Sequence, residues 1–377
     1  MAPIIRKLCE HSEAICKVCI TAQHRQMLDQ VLCLFGVTPD HDLNVMRENQ
    51  TPTQVAAAVL ARLELILRAE QPDWVLVQGD TTTVAAASLA AFYARVKVGH
   101  VEAGLRTHDK WRPFPEEINR RVVGVIADLH FAPTEQARQN LLREGVPGEH
   151  IIVTGNPVID ALHWVTNQPC PTEVERLLGA EGEIRNPESE IRNVLVTAHR
   201  RENFGAPLEN ICLALRDLAT QYDGRVRILY PVHLNPNVWE PVHRLLGEVP
   251  NITLTPPLDY LSLAHIMKRS YLVLTDSGGI QEEAPGLGVP VLVLREVTER
   301  PEAVEAGVVR VVGTDRERIV AEAVRLLEDV DAYAQMAQAV NPYGDGRAAE
   351  RIVRALLGEP IEPWHIPNSE VEYSAER

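Results

Sequence analysis

Six polar clusters along the chain hold residues that could move protons or grip an anion. They are Gln78-Gly79-Asp80-Thr81-Thr82-Thr83, Glu102-Ala103-Gly104-Leu105-Arg106, His199-Arg200-Arg201-Glu202-Asn203, Pro231-Val232-His233-Leu234-Asn235-Pro236, Asp276-Ser277-Gly278-Gly279-Ile280-Gln281-Glu282-Glu283, and Arg295 with Thr298-Glu299-Arg300-Pro301-Glu302. Carboxylates and an imidazole are the side chains of general acid–base work. Each also has a plain structural reading. Asp80 would serve as a helix N-cap, Glu102 as a surface partner of Arg106, and His199 as a hydrogen-bonded loop residue. Each plain reading is the better one when taken singly. Six polar clusters at six strand ends favour a site.

Two stretches are physically more specific. Ser277-Gly278-Gly279 joins a strand to a helix beginning near Ile280, where backbone N–H groups and the helix N-terminus favour an anion. Glu283, about one turn further in, could accept two hydrogen bonds from a ribose diol, or be a solvated first-turn glutamate. In Lys110–Arg121, Pro115 suits a first helical residue, and Glu116 and Arg120 then stand four apart on one face. They read either as a surface ion pair or as a carboxylate poised to move a proton.

The elements that must position these residues alternate. Expected strands are 18–21, 74–77, 97–101, 129–132, 151–153, 194–197, 226–230, 252–255, 271–275 and 291–294. The helices between them include 25–35, where Met27, Leu28, Val31, Leu32 and Phe35 share one face, then 55–69, 83–94, and others opening at Glu116, Glu135 and Val158. The stretch 167–192, rich in Pro, Glu, Gly and Asn, reads as an inter-domain connection with room for a short helix. Two strand–helix series imply an α/β chain of two Rossmann-like, doubly wound parallel sheets. Ligands bind beyond the carboxyl ends of such strands, so a cleft between two facing domains is the expected site.

At 377 residues, 45% apolar and 24% charged, the chain has the size of two soluble domains. A net charge of −15 argues against a nucleic-acid partner. No apolar run approaches the ~18 residues of a membrane span, and MAPIIRKLCEH lacks a secretory leader's apolar region. A cytoplasmic chain is expected. Cys16 and Cys19 form a C-x-x-C with no completing ligands nearby, so no metal is expected and buried structural thiols are.

Together these blocks resemble the bacterial non-hydrolysing UDP-N-acetylglucosamine 2-epimerases, from Met1 to about Gly358. The matching motifs are TAQHRQML (21–28), QGDTTT (78–83), GHVEAGLR (99–106), PFPEEINRR (113–121), HRREN (199–203), YPVHLNP (230–236), TDSGGIQEE (275–283), TERPE (298–302) and NPYGDG (341–346). The resemblance implies a glycosyltransferase-B-like fold. Residues 1–166 would form the first domain, rejoined by a C-terminal helix within 346–358, and 167–345 the UDP-binding domain. It implies interconversion of UDP-N-acetylglucosamine and UDP-N-acetylmannosamine by loss and re-addition of UDP through a bound 2-acetamidoglucal, with no cofactor, in a homodimer.

By motif match, Asp80, Glu102 and Glu116 are the acid–base candidates. Arg120 would hold carboxylates or phosphate, and His199 would meet the pyrophosphate or leaving oxygen. Ser277, Gly278 and Gly279 would take the phosphate, and Glu283 the ribose. Arg300 would line the nucleotide site, and Leu263 would stand where relatives often place an aromatic against uracil. Gln23, Gln26, Arg200 and His233 match positions that hold a second, activating UDP-N-acetylglucosamine in some relatives, although Asn49 falls where an arginine is expected. Relatives begin one strand earlier, with a G-T-R-P-E-A-I-K loop, so an upstream start is expected. The rival readings are a hydrolysing epimerase that releases UDP and N-acetylmannosamine, a glycosyltransferase, and a catalytically impaired UDP-sugar-binding protein.

Overall fold

The computed structural model describes residues 1–21, 25–47, 50–178 and 191–367, without the side chains of 25–27. Two compact units emerge. One contains Met1–Ala161 and Tyr343–Arg377, and the other Leu162–Pro342.

Chain order in the first unit is α1 (Ala2–Glu10), β1 (Cys19–Ile20), α2 (Arg25–Phe35), β2 (His41–Asp42), α3 (Pro52–Glu70), β3 (Trp74–Gln78), α4 (Thr82–Tyr93), β4 (Lys97–Val101), α5 (Glu116–Ile126), β5 (Leu129–Ala132), α6 (Glu135–Arg143), β6 (Ile151–Val153) and the start of α7 (Pro157–Thr166). β3, β4, β5 and β6 form a parallel sheet in that order, and β1 and β2 pair separately. Helix starts follow local chemistry. Thr51 and Gln54 close a capping box on α3, and Thr81 caps α4 through Val84 N–H. Val59 and Leu63 of α3, Ala90 and Ala91 of α4, and Val98 of β4 share one buried cluster.

The second unit continues with α8 (Thr172–Leu178), β7 (Arg192–Thr197), α9 (Ala206–Tyr222), β8 (Val226–Pro231), α10 (Pro236–Leu246), β9 (Ile252–Thr255), α11 (Tyr260–Arg269), β10 (Leu272–Thr275), α12 (Gly278–Gly286), β11 (Val291–Val293), α13 (Pro301–Glu305), β12 (Val309–Val311), α14 (Arg316–Glu328) and α15 (Val330–Ala337). Its parallel sheet runs β12-β11-β10-β7-β8-β9. The chain winds one way from β7 through β9, then returns to the other side of β7 with β10. This reversal places the topological switch between β7 and β10, where such sheets leave a ligand crevice. Thr197 and Thr275, paired across that switch, share a 2.6 Å hydroxyl contact.

The last helix, α16 (Ala348–Leu356), belongs to the first unit. Ala349, Ile352 and Val353 bury against Ile4 of α1, Val101 and Phe131. Asp160 accepts Ala348 and Ala349 N–H and so caps α16.

The cysteine expectation fails. Strand alternation turns Ile20 inward and Cys19 outward, leaving Cys19 exposed and Cys16 half-buried. Among the described residues no group of His, Cys, Asp and Glu could hold a metal, and no helix is long and apolar enough to cross a membrane.

Candidate functional site

In the first unit, Asp80 follows β3 and Glu102 follows β4, so parallel pairing of the two strands sets the carboxylates side by side. Arg120, one turn into α5 and nearly buried, reaches both. One guanidinium nitrogen donates to Asp80 Oδ2 at 2.5 Å and lies 3.4 Å from Glu102 Oε1, and another donates to the Glu102 carbonyl at 2.5 Å. One guanidinium thus bridges the two carboxylates and offsets their mutual repulsion.

The plain alternatives resolve against the sequence reading of each. Thr81, not Asp80, caps α4, because its hydroxyl meets Val84 N–H. Arg106 pairs with Glu144 and leaves Glu102 to Arg120. Arg120 binds Asp80 and Glu102 rather than Glu116, because the strand ends offer carboxylates at closer range than its own helix does. Glu116 opens α5, and its buried Oε2 has no hydrogen-bond partner among the described residues.

The Asp80 backbone is clamped. Gly79 N–H donates to Val101 O, Asn119 donates to Asp80 O at 2.9 Å, and His100 Nε2 lies 2.8 Å from Gly79 O. A carbonyl only accepts, so His100 is the Nε2–H tautomer there. Burial pushes its pKa down to about 3 and keeps it neutral. Glu102 has φ +61, a costly conformation for a side-chain-bearing residue, and such strain concentrates at working sites. The Met1 amine donates to Gln78 Oε1, and burial lowers its pKa to about 6.

In the second unit the cluster stands at the switch between β7 and β10. Ser277 precedes α12 and makes no side-chain capping bond, which leaves the first-turn N–H groups without that partner. A Cβ built on Gly278 would meet Arg200 Nη2 at 3.7 Å and Arg300 Nη2 at 4.0 Å. Two guanidinium groups therefore converge on the helix N-terminus, an arrangement that suits a phosphate. Arg300 is fixed from behind by Glu282 on α12.

Glu283 is buried, and Tyr260 donates to its Oε2 at 2.8 Å. Burial raises the Glu283 carboxyl to about 7. Leu263 lies half-buried on α11, the helix that carries Tyr260.

His199 stands beside Asp276, whose Oδ2 accepts His199 N–H and Arg200 N–H at 2.8 Å each and Asn203 Nδ2 at 3.0 Å. The His233 ring stacks on His199 with centroids 5.4 Å apart. Burial lowers the His199 pKa. Asp276 opposes that shift, while His233 and Arg200 add to it.

Of the four residues matched to a second ligand, Arg200 and His233 thus stand against His199. Gln23, the Gln26 side chain and Asn49 lie outside the described residues. The sequence reading overlooked His100, Asn119, Asp276, Glu282 and Tyr260. Asp276 and Glu282 lay within a motif already singled out, and a carboxylate directly after a strand was the available signal.

The model of the UDP-N-acetylglucosamine 2-epimerase family matches residues 6–357. A UDP-N-acetylglucosamine 2-epimerase of Escherichia coli K12 is 55% identical over 362 residues, 96% of each chain. That of Neisseria meningitidis, solved bound to UDP-GlcNAc, is 48% identical with a TM-score of 0.85, covering 95% of this chain and 96% of its own. The Methanocaldococcus jannaschii enzyme, solved with UDP-GlcNAc and UDP, is 33% identical with a TM-score of 0.75, covering 95% of each chain. The glycosyltransferase-B-like α/β class, with parallel sheets in both units, agrees with these neighbours. The chain belongs to the UDP-N-acetylglucosamine 2-epimerase family.

Proposed function

We propose that the chain interconverts UDP-N-acetylglucosamine and UDP-N-acetylmannosamine without net hydrolysis. The observation that carries this reading is the pair Asp80 and Glu102 on one guanidinium, with Glu116 opening the helix that supplies it. The C2 proton of the sugar has no carbonyl beside it in the ring, so direct abstraction is very unfavourable. Expelling UDP from C1 while a carboxylate takes the C2 proton leaves a neutral 2-acetamidoglucal. A second carboxyl group, in its acid form, then delivers a proton to the opposite face as UDP adds back. Asp80, Glu102 and Glu116 are the groups for these transfers.

The leaving diphosphate needs donors that strengthen as negative charge develops. Ser277, Gly278 and Gly279 with Arg200 and Arg300 supply them, and His199 meets the leaving oxygen. Glu283 takes the ribose diol, and Leu263 packs against the uracil. These steps need no cofactor.

Incubation with UDP-N-acetylglucosamine in deuterated water, followed by proton NMR, tests the reading. We expect UDP-N-acetylmannosamine bearing deuterium at C2, with no net loss of UDP-sugar. Free UDP and free N-acetylmannosamine would overturn it in favour of a hydrolysing enzyme, and absence of turnover in favour of a binding protein.

We further propose a cytoplasmic homodimer whose contact face is an apolar patch on the first unit. Adjacent helices α3, α4 and α5 expose Leu65, Phe92, Tyr93, Val122 and Val125. Isolated exposed apolar residues are ordinary, and we assign these five, carried by neighbouring helices, to the dimer contact. Native mass spectrometry of the full chain tests this, and a monomer would overturn it.

A further inference from the structure

We propose that Asp276 is a positioning residue that fixes the tautomer of His199, through a hydrogen bond from His199 Nδ1–H to Asp276 Oδ1. This rests on the role given to His199 above.

Asp276 is fully buried at the end of β10, and its two oxygens are used unequally. Oδ2 takes all three donors already described. Oδ1 has no hydrogen-bond partner among the described residues. A buried carboxylate oxygen without a donor is costly, and native structures rarely leave one. His199 Nδ1 lies 3.9 Å from this oxygen, about 0.7 Å beyond hydrogen-bond range.

The two residues are already tethered, because the His199 main-chain N–H is bound to the other oxygen of the same carboxylate. The remaining gap closes in the liganded state under this proposal. Catalytic hydrogen bonds commonly tighten in this way when a ligand binds. The stacked His233 ring, inclined by 19°, limits the planes His199 can adopt. His233 Nδ1 is itself occupied, accepting Asn235 N–H at 3.0 Å, so it does not compete for the proton.

With Nδ1–H bound to Asp276, His199 presents Nε2 away from the carboxylate. Nε2 is then the atom that meets the departing diphosphate oxygen. When it carries a proton, the ring is an imidazolium backed by a buried anion. Three groups face His199: Asp276 from the end of β10 favours that charge, while Arg200 after β7 and His233 after β8 oppose it.

Selective nitrogen-15 labelling of histidine in the full chain, read by long-range proton–nitrogen NMR near pH 8 with and without UDP, tests the tautomer directly. His199 is assigned by the signal lost in His199→Asn. We expect protonated Nδ1 and bare Nε2 in the wild-type protein, and this readout needs neither turnover nor a particular sugar. A wild-type Nε2–H tautomer overturns the proposal.

Asp276→Asn is the matching variant. Its oxygen can keep the three donors while its amide group replaces Oδ1, which turns a donor towards Nδ1 and reverses the tautomer. We expect kcat to fall on the order of 10²–10⁴-fold with KM little changed. The His199-dependent limb of the pH profile moves to lower pH. In a His199→Asn background Asp276→Asn should cost nothing further. Multiplying losses in the double variant would show that Asp276 acts independently of His199 and would overturn the proposal.

Discussion

Asp80→Asn should lower kcat by about 10²–10⁴-fold, the usual worth of a positioned acid–base group, and leave KM and the unfolding midpoint nearly unchanged. The substitution is close to isosteric. An Asn oxygen can still accept the Arg120 hydrogen bond made at 2.5 Å, and the clamps on Gly79 and on the Asp80 carbonyl involve main-chain atoms. What disappears is the capacity to take or give a proton. The expected loss corresponds to roughly 3–5 kcal/mol of barrier, too large to come from a relaxed surface contact. Deuterium washing into C2 separates the steps. If Asp80 moves the proton, exchange and epimerisation fall together. A kcat within threefold of wild type, at unchanged stability, would sink the assignment and leave Glu102 and Glu116 to carry the chemistry.

Gly104→Ala should unfold the first unit at markedly lower denaturant concentration. Gly104 has φ +87, and a Cβ there would lie 2.2 Å from the Ala137 carbonyl oxygen and 2.8 Å from its carbon. The obstacle is helix backbone, which cannot swing aside as a side chain can. Asn140, also on α6, donates to the Gly104 carbonyl at 3.0 Å and holds the loop against that helix. Backbone strain and overpacking together cost on the order of 3–5 kcal/mol, a large part of an ordinary domain's stability. Urea unfolding of the full chain, followed by probes placed in each unit, should show the first transition shifted and the second in place. A shift worth less than about 1 kcal/mol would mean that α6 can retreat. Glu102 lies two residues away, so activity should fall before the unit unfolds.

Much of the scaffold was legible because strand ends and helix starts are local events. Lys97–Val101, Leu129–Ala132 and Ile151–Val153 stand as expected, and α5 opens at Glu116. Expectations that depended on distant partners fared differently. Arg120 looked like the i+4 companion of Glu116 on a helix surface. Its partners lie 40 and 18 residues away, joined to it only by the order of strands in the sheet. Asp276 stood beside the Ser277-Gly278-Gly279 loop and was given no role of its own. Its bonds to His199, Arg200 and Asn203 span the β7–β10 switch, which no local pattern announces. β2 and β12, of two and three residues, are too short to show any alternation. Cys19 misled because proximity to a strand does not reveal which way a side chain points.

The discontinuous first unit also has a consequence for synthesis. Residues 162–342 form a continuous unit and can complete their core while the ribosome is still at work. The first unit cannot, because Val101 and Phe131 gain Ala349, Ile352 and Val353 only after those residues leave the exit tunnel. The usual order, in which the N-terminal domain matures first, is reversed here. The segment translated earliest must wait with part of its apolar core uncovered, and the carboxylates Asp80 and Glu102 ride on the sheet that is finished last.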